Sequence, residues 1–435
     1  MQLLDKRSQL FLVLFCLPFL FFPKINLISI KGETAGVRLD DFMLLGLAAI
    51  VFWAHIALRK HLLPLERTVL LITVYSFFSF CLSKIFYLMD WLPFSGRLPY
   101  TLRLFEYFIF FYIGLLAAQF FSLRNVMKAF FGFNLIIIIL QKLNLIGGFG
   151  PHGYMQDSSW RVLGIASFPA ETGLILCLLY AYFAFTPPEE TIAKHLFSPW
   201  LRQKLLLTRS YWLFAIFSLL IIYTGSRIAI LAIGLSLCVI LYREIRSSSQ
   251  KHILSALFMV TLLVIGALYT LSQTSSVANR SSALLSKGNI EIVKVIWEHI
   301  DVHNYVEAEE NYAILEDVES DLSLFIRLHR WFFALKVYLY NPQSYLFGIG
   351  PGFGSAAIDG GWVRILPELG LIGLALYLYF FYQIAKLTPA LYSMTVLFAI
   401  NMLFFDAYLS YKSMSLLLFV TGMGAASQDK PILHS

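Results

Sequence analysis

Five arginines stand in this chain where charge is expensive. Arg227 lies in "IIYTGSRIAIL" (221–231), crowded by apolar residues and preceded by a Gly-Ser step. Arg161 follows a tryptophan in "SSWRVLGIASFPAETG" (158–173). Arg327 and Arg330 sit in "SDLSLFIRLHRWFFALKVYLYNP" (320–342), and Arg364 in "DGGWVRILPELG" (359–370). A guanidinium grips phosphate oxygens through paired N–H bonds and stays charged at any relevant pH. A cluster of such groups at a lipid boundary suits an anionic headgroup, most simply a pyrophosphate. Arg327, Arg330 and Trp331 fall at i, i+3 and i+4, one helix face, so an indole accompanies two cations where a sugar phosphate would fit. Plainer readings stand beside these. Arg227 could snorkel to water from a turn, and Arg330 could anchor its helix at the headgroups. Glu171, opening an apolar run, could simply favour a helix amino terminus.

The elements that must position these residues follow from composition. The 435 residues are 59% hydrophobic and 16% aromatic but only 14% charged, against about a quarter charged in soluble domains. Apolar runs long enough to cross a bilayer recur at 9–29, 41–58, 68–89, 103–121, 125–146, 168–186, 211–225, 228–242, 253–271, 368–385, 390–408 and 413–427. Backbone groups in lipid must be satisfied internally, so the fold class is an all-α, polytopic membrane protein of about twelve helices. The Thr224-Gly225-Ser226-Arg227 step separates two spans because it is a poor mid-membrane helix. Cys16, Cys81, Cys177 and Cys238 each lie in an apolar run, with no C-x-x-C pair, and read as fillers. The first run has no cleavage site and reads as a retained helix.

Basic residues orient the chain. Lys6 and Arg7, Arg59, Lys60 and Arg67, Arg124 and Lys128, Lys194 to Arg209, and Arg243 to Lys251 fall in alternate loops, which places the amino terminus in the cytoplasm. The net charge of +7 is thus largely a topology signal, and no nucleic-acid partner is expected. On the opposite side fall the 147–167 loop, the 225–227 turn, the long 272–367 segment and the short 409–412 loop. Three regions result: 1–271 with nine spans, 272–367 as a periplasmic loop, and 368–435 with three spans and a cytoplasmic tail. Within the loop, Ile292, Val293, Ile296 and Ile300 have helical spacing, which predicts an amphipathic helix lying on the outer surface. The acidic stretch "VEAEENYAILEDVESD" that follows would repel a pyrophosphate and reads as a solvated face. Glycines alternate at 348, 350, 352 and 354. A dinucleotide fingerprint needs a strand before it and a helix opening from it, and neither fits. A loop whose backbone N–H groups aim inward at an anion is the expectation instead.

Taken in order, these pieces resemble the O-antigen polymerase and ligase family of bacterial inner-membrane proteins. "TGSRIAILAIGL" is similar to the family's Ser-Arg step opening a helix. "IRLHRWFFAL...NPQSYLFGIGPGFG" resembles its Arg-x-x-x-Trp helix followed by a Gly-rich loop, and "ILPELGLIGLALYLYF" its closing Glu-Leu-Gly helix. The match covers roughly residues 211–385. The resemblance implies a GT-C-like glycosyltransferase architecture with a metal-independent site on the periplasmic side and no cofactor. Family members move a glycan from an undecaprenyl-pyrophosphate carrier to an acceptor hydroxyl. Their phosphate-binding arginines carry over to Arg227 and Arg327 and, at a looser match, to Arg161; Arg330 and Arg364 join them as cations of the same outer face. Ligases have a histidine about a dozen residues before the Glu-Leu-Gly turn. This chain has Asp359 there, which favours the polymerase branch, with Asp359 as base or as orienter of the acceptor.

The expectation is therefore an enzyme of the bacterial inner membrane, with both termini cytoplasmic. It would extend one undecaprenyl-pyrophosphate-linked glycan from another, with a chain-length regulator as a candidate protein partner. No Asp-x-Asp of the kind that holds a metal for nucleotide-sugar transfer is present. The rivals are an O-antigen ligase acting on lipid A–core, a peptidoglycan polymerase, and a transporter or flippase of lipid-linked glycans. The last suits about twelve helices equally well, and Lys24, Lys84 and Lys142 in or near spans keep it open.

Overall fold

A computed structural model describes residues 5–22, 39–58, 62–86, 94–149, 161–186, 199–247, 288–302, 322–353 and 358–428. Among these residues the structure is all-helical, with no strand. The helices are α1 (Lys6–Phe21), α2 (Leu39–Leu58), α3 (Pro64–Phe86), α4 (Phe94–Tyr107), α5 (Ile109–Ala117), α6 (Leu123–Lys142), α7 (Pro169–Phe185), α8 (Pro199–Thr224) and α9 (Arg227–Ser247). Then follow α10 (Gly288–His299), α11 (Leu322–Tyr340), α12 (Ser344–Phe347), α13 (Gly361–Ala385), α14 (Pro389–Asn401) and α15 (Tyr411–Gln428). Among the described residues, four stretches are long and apolar enough to cross a membrane: Pro64–Ser83, Leu98–Ala117, Leu123–Lys142 and Gly361–Ala385. Shorter apolar helices accompany them at Pro169–Phe185, Trp212–Thr224, Arg227–Cys238 and Pro389–Asn401. Large apolar side chains on outward faces, such as Trp53, Val74, Ile136 and Trp212, remain exposed, as expected where the solvent is lipid.

Local chemistry starts these helices where the sequence offers a cap. The Asp5 carboxylate accepts Ser8 N–H at 3.1 Å and starts α1. Hydrogen bonds from Ser8 hold that carboxyl below its ordinary pKa. Ser122 caps α6 through Asn125 N–H, and Thr388 caps α14 through Leu391 N–H, with Pro389 at the first helical position. The run expected at 103–121 is two helices, α4 and α5, meeting at Phe108. The run expected at 390–408 ends at Asn401 and continues as a turn and a 3-10 helix, Ala407–Leu409. Gly225, at φ 66°, ends α8 where the Gly-Ser step stands. The expected span at 253–271 and the acidic stretch from 306 lie outside the described residues.

The core is built on backbone proximity. At the α5–α15 contact, a Cβ on Gly114 would lie 2.2 Å from Phe419 O, and one on Gly422 would lie 2.0 Å from Phe111 O. Only glycine permits that approach, the usual device of helix pairs in lipid. Helix α7 is buried on all sides from Glu171 to Tyr182 and packs on α8, α9 and α14. Helix α13 is broken: Gly370 has φ 67° and ψ −171°. The break lets the α12 segment cross α13, with Ile349 N–H on Pro367 O and Gly350 N–H on Glu368 O. From α3, the single proton of the Tyr75 hydroxyl is shared between Leu346 O and Leu369 O, and that of Ser79 goes to Phe347 O with Glu368 O more distant at 3.3 Å. The backbone groups freed by the break are thus satisfied inside the protein.

A second, smaller core joins α10 to α11. Ile296 and Ile300 pack with Phe325, Phe333, Val337, Ile349 and Phe353. The amphipathic helix expected at 289–300 is therefore present, but Ile296 and Ile300 face α11 and the glycine loop. Only Val293 and Trp297 of the described apolar positions look outward. Lys336 Nζ fastens the pair by donating to Ile300 O while lying over the Trp297 ring.

Several helix ends meet at one end of the bundle. Lys412, at the start of α15, donates to Phe19 O and Leu20 O at the end of α1. Glu171, at the start of α7, accepts from Ser410 Oγ at 2.5 Å and Lys412 N–H at 3.0 Å. Val162 N–H reaches Tyr223 O at the end of α8. Gly361 N–H reaches Phe405 O beyond α14. From each of the four segments expected on one side of the membrane, a described stretch (161–167, 225–227, 358–367 and 409–412) therefore lies at this end.

Candidate functional site

Among the described residues two that are not glycine have left-handed backbone conformations, Asn144 and Asp359, and Asp359 lies at this end. Asp359 has φ 58°, a left-handed value that is uncommon outside glycine and costs an L-residue about 1–2 kcal/mol. Its two neighbours explain how it is kept there. Ile358 N–H and Gly360 N–H both donate to the Asp406 carboxylate, at 3.0 Å each and to different oxygens. On the other side, Trp331 Nε1 donates to Ile358 O at 2.8 Å. The indole also lies so close to Gly360 that a Cβ there would be 2.9 Å from Nε1. With its backbone gripped from both sides, Asp359 presents its side chain to α11. Arg327 Nε donates to Asp359 Oδ2 at 3.2 Å, and both side chains are about one-third exposed (29% and 35%). That contact engages one of the five guanidinium N–H donors.

The shared face expected for Arg327, Arg330 and Trp331 exists, because α11 runs unbroken through all three. It docks on the 358–360 turn through Arg327 and Trp331. Trp331 is thereby occupied by protein: its Nε1 holds a carbonyl, and its ring lies 5.6 Å from that of Phe404. Arg330 is half-buried on the same helix.

Arg161 and Arg227 form the second group. Gln141 clamps the segment that carries Arg161. Its Oε1 accepts Leu163 N–H and Gly164 N–H, and its Nε2 donates to Gly164 O. With Val162 bonded to Tyr223 O, the Arg161 side chain is laid across Gly225, its Nε 3.0 Å from where a Cβ would project. Gly225 therefore provides both the turn and the space for Arg161. Two residues on, Arg227 opens α9. Helix α9 is pressed onto α7 at Gly173, where a Cβ would lie 2.7–2.8 Å from Ala229 and Ser226.

Arg364 belongs elsewhere. Its side chain has no exposed surface, and it bonds Glu368 Oε1 at 3.1 Å and Asp406 Oδ2 at 2.9 Å, with the Tyr100 ring 4.9 Å away. A cation enclosed between two carboxylates is not placed to meet a lipid headgroup, so its position departs from the outer-face cluster expected of it. The i, i+4 spacing sets Arg364 beside Glu368, and Asp406 and Tyr100, from other elements, close over that face of α13. The glycine loop also departs from expectation. Ile349 and Gly350 N–H groups point to the carbonyls of Pro367 and Glu368 and are spent on the α13 break instead of on an anion.

Asp406 is the residue that sequence reasoning overlooked. It is the only charged side chain between Lys386 and Lys412, and an ionisable group in so apolar a stretch is itself a functional signal. Glu171 was noted only as a helix-start acid. It joins α7 to the 410–412 connection and also accepts Ser167 N–H at 3.3 Å. Compared with family models and with curated proteins, the chain matches none of either.

Proposed function

We propose that this protein is a glycosyltransferase of the bacterial inner membrane, of the O-antigen polymerase kind. In this reading it passes a glycan from an undecaprenyl-pyrophosphate carrier to a hydroxyl of a second lipid-linked unit at the periplasmic face. The twelve-span topology, the GT-C-like architecture and the cytoplasmic termini belong to the same proposal. The observation that carries it is the Arg327–Asp359 contact, a cation and a carboxylate 3.2 Å apart and both open to solvent. It lies at the end of the bundle where Arg161 lies over the turn that leads to Arg227. An arginine on the first residue of a helix has the wrong sign for the helix dipole. A diphosphate at that amino terminus would complement both.

The chemistry asked of these residues is simple. The acceptor oxygen forms a bond to the anomeric carbon while the bond from that carbon to the phosphate oxygen breaks. The diphosphate leaves with the electron pair, and Arg161, Arg227 and Arg327 neutralise its charge; such preorganised charge is often the largest catalytic contribution. The hydroxyl proton passes to the Asp359 carboxylate and then to water, worth about 10²–10⁴-fold if Asp359 is the general base. Arg327, which touches Asp359, would link departure of the diphosphate to activation of the acceptor if the diphosphate reaches its remaining N–H groups. The test is reconstitution in liposomes with a lipid-diphosphate oligosaccharide. Longer glycans should form, and full extension by both Arg227→Ala and Arg327→Ala would remove the proposal.

One observation favours a second reading, translocation of the lipid-linked glycan: α13 is a broken helix, as in many transporters. In those proteins the break exposes backbone groups to a ligand. Here the carbonyls around Gly370 are taken by Tyr75, Ser79, Ile349 and Gly350, which supports the enzyme. The same liposomes distinguish the two, since a flippase would move the lipid across the bilayer without lengthening its glycan.

A further inference from the structure

We infer that Asp406 is a positioning residue, which acts on the reaction only through Asp359 by holding it in the left-handed turn. This rests on the function proposed above. Three features of the geometry point to it. The two Asp406 oxygens accept the backbone N–H groups on either side of Asp359, at 3.0 Å each, so the carboxylate straddles a residue whose left-handed backbone needs support. Asp406 is 7% exposed and makes its third bond to the enclosed Arg364, which Glu368 holds from one helical turn away. The support is therefore fixed relative to α13 and does not move with solvent. Finally, Asp406 does not itself reach Arg327. The group facing Arg327 is Asp359.

The division of labour follows from charge. A carboxylate that accepts two backbone N–H groups and a guanidinium is committed to them, and is poorly suited to take a proton from an acceptor hydroxyl. Asp359, one-third exposed, is suited to it. Backbone amides are unchanged by whichever side chain stands at 359, so Asp406 fixes the place of the carboxylate without fixing its chemistry. Trp331 completes the grip from the opposite side through Ile358 O.

The test uses the full-length protein in liposomes and has two readouts. The kcat and donor KM of chain extension are measured for Asp359→Asn, Asp406→Asn and the double variant. The expected result is a loss of kcat of tenfold or more in Asp406→Asn, with donor KM within about twofold. The double variant should be no slower than Asp359→Asn alone, because coupled residues are not additive. Independently of activity, backbone hydrogen exchange at Ile358 and Gly360 should quicken at least tenfold in Asp406→Asn. Trp331→Phe, which keeps the ring and loses only the donor to Ile358 O, should show the same coupling to Asp359→Asn in smaller measure, and serves if Asp406→Asn does not fold. Additive losses, a donor KM that rises as kcat falls, or unchanged exchange at the two amides would overturn the inference while extension by the unmodified protein still stood. Failure of the unmodified protein to extend glycans would instead overturn the functional reading, and the exchange result alone would then decide whether Asp406 holds the turn.

Discussion

Arg364 and Asp406, 42 residues apart in the chain, meet at 2.9 Å with the arginine entirely enclosed. Glu368 bonds the same guanidinium from one turn further along α13. One cation between two carboxylates, in a bundle of apolar helices, is affordable only because every partner is in place. It ties the start of α13 to the connection between α14 and α15, and so sets the end of the bundle at which Arg327 and Asp359 meet.

Removing the cation leaves two buried acids facing each other. Arg364→Ala should therefore lower stability by about 3–5 kcal/mol, the usual cost of breaking a buried pair. Arg364→Lys should recover only part, because an ammonium lacks the fork that serves two carboxylates. Thermal unfolding in detergent reads both, and an unchanged midpoint for Arg364→Ala would contradict the enclosed triad.

The α12–α13 crossing gives a backbone test. A Cβ on Gly348 would lie 2.2 Å from Glu368 O and one on Gly370 2.3 Å from Leu346 O, and both glycines have positive φ. Alanine at either position should cost more than the about 1–2 kcal/mol of the backbone conformation alone, since the chains must also separate. Gly132→Ala, in α6 with nothing within 4 Å of the new methyl, should leave stability unchanged or raise it by about 0.4–1 kcal/mol. Equal midpoints for all three variants would refute the close crossing.

Glu171 joins α7 to the 410–412 connection through two accepted bonds, from Ser410 Oγ and Lys412 N–H, and accepts a third from Ser167 N–H. Glu171→Ala leaves buried donors without this acceptor and should cost about 1–3 kcal/mol. Glu171→Gln retains an acceptor and should cost less. The ordering of the two midpoints is the check: a glutamine variant as unstable as alanine would show that charge, not hydrogen bonding, matters there.

The proposed clamp on the diphosphate predicts an effect at a residue that carries no charge. A side chain at 225 would collide with Arg161 Nε, so Arg161→Ala should lose glycan extension and Gly225→Val should reproduce that loss. Each of Arg227→Ala and Arg327→Ala should lose about 10²-fold or more in kcat. Normal extension by Gly225→Val would dissociate Arg161 from the reaction.

Much of the architecture was legible in the chain. Hydropathy marks α3, α6 and α13 as bilayer-length helices. The Gly-Ser step before Arg227 marks the end of α8, because this is a local effect of residues on their own backbone. The i, i+3, i+4 face of Arg327, Arg330 and Trp331 is legible for the same reason: helical spacing is fixed over a single turn.

Which arginine faces outward and which is enclosed was decided by tertiary packing. Arg327 and Arg364 both stand in apolar helices, yet one meets an accessible Asp359 and the other two buried acids. Asp359 owes its conformation to Asp406 and Trp331, from two other elements, and the glycine loop owes its use to a break in α13. Local sequence dictates periodicity and caps. A charge buried in a bundle must find partners in space, and those partners are known only once distant helix ends have been brought together.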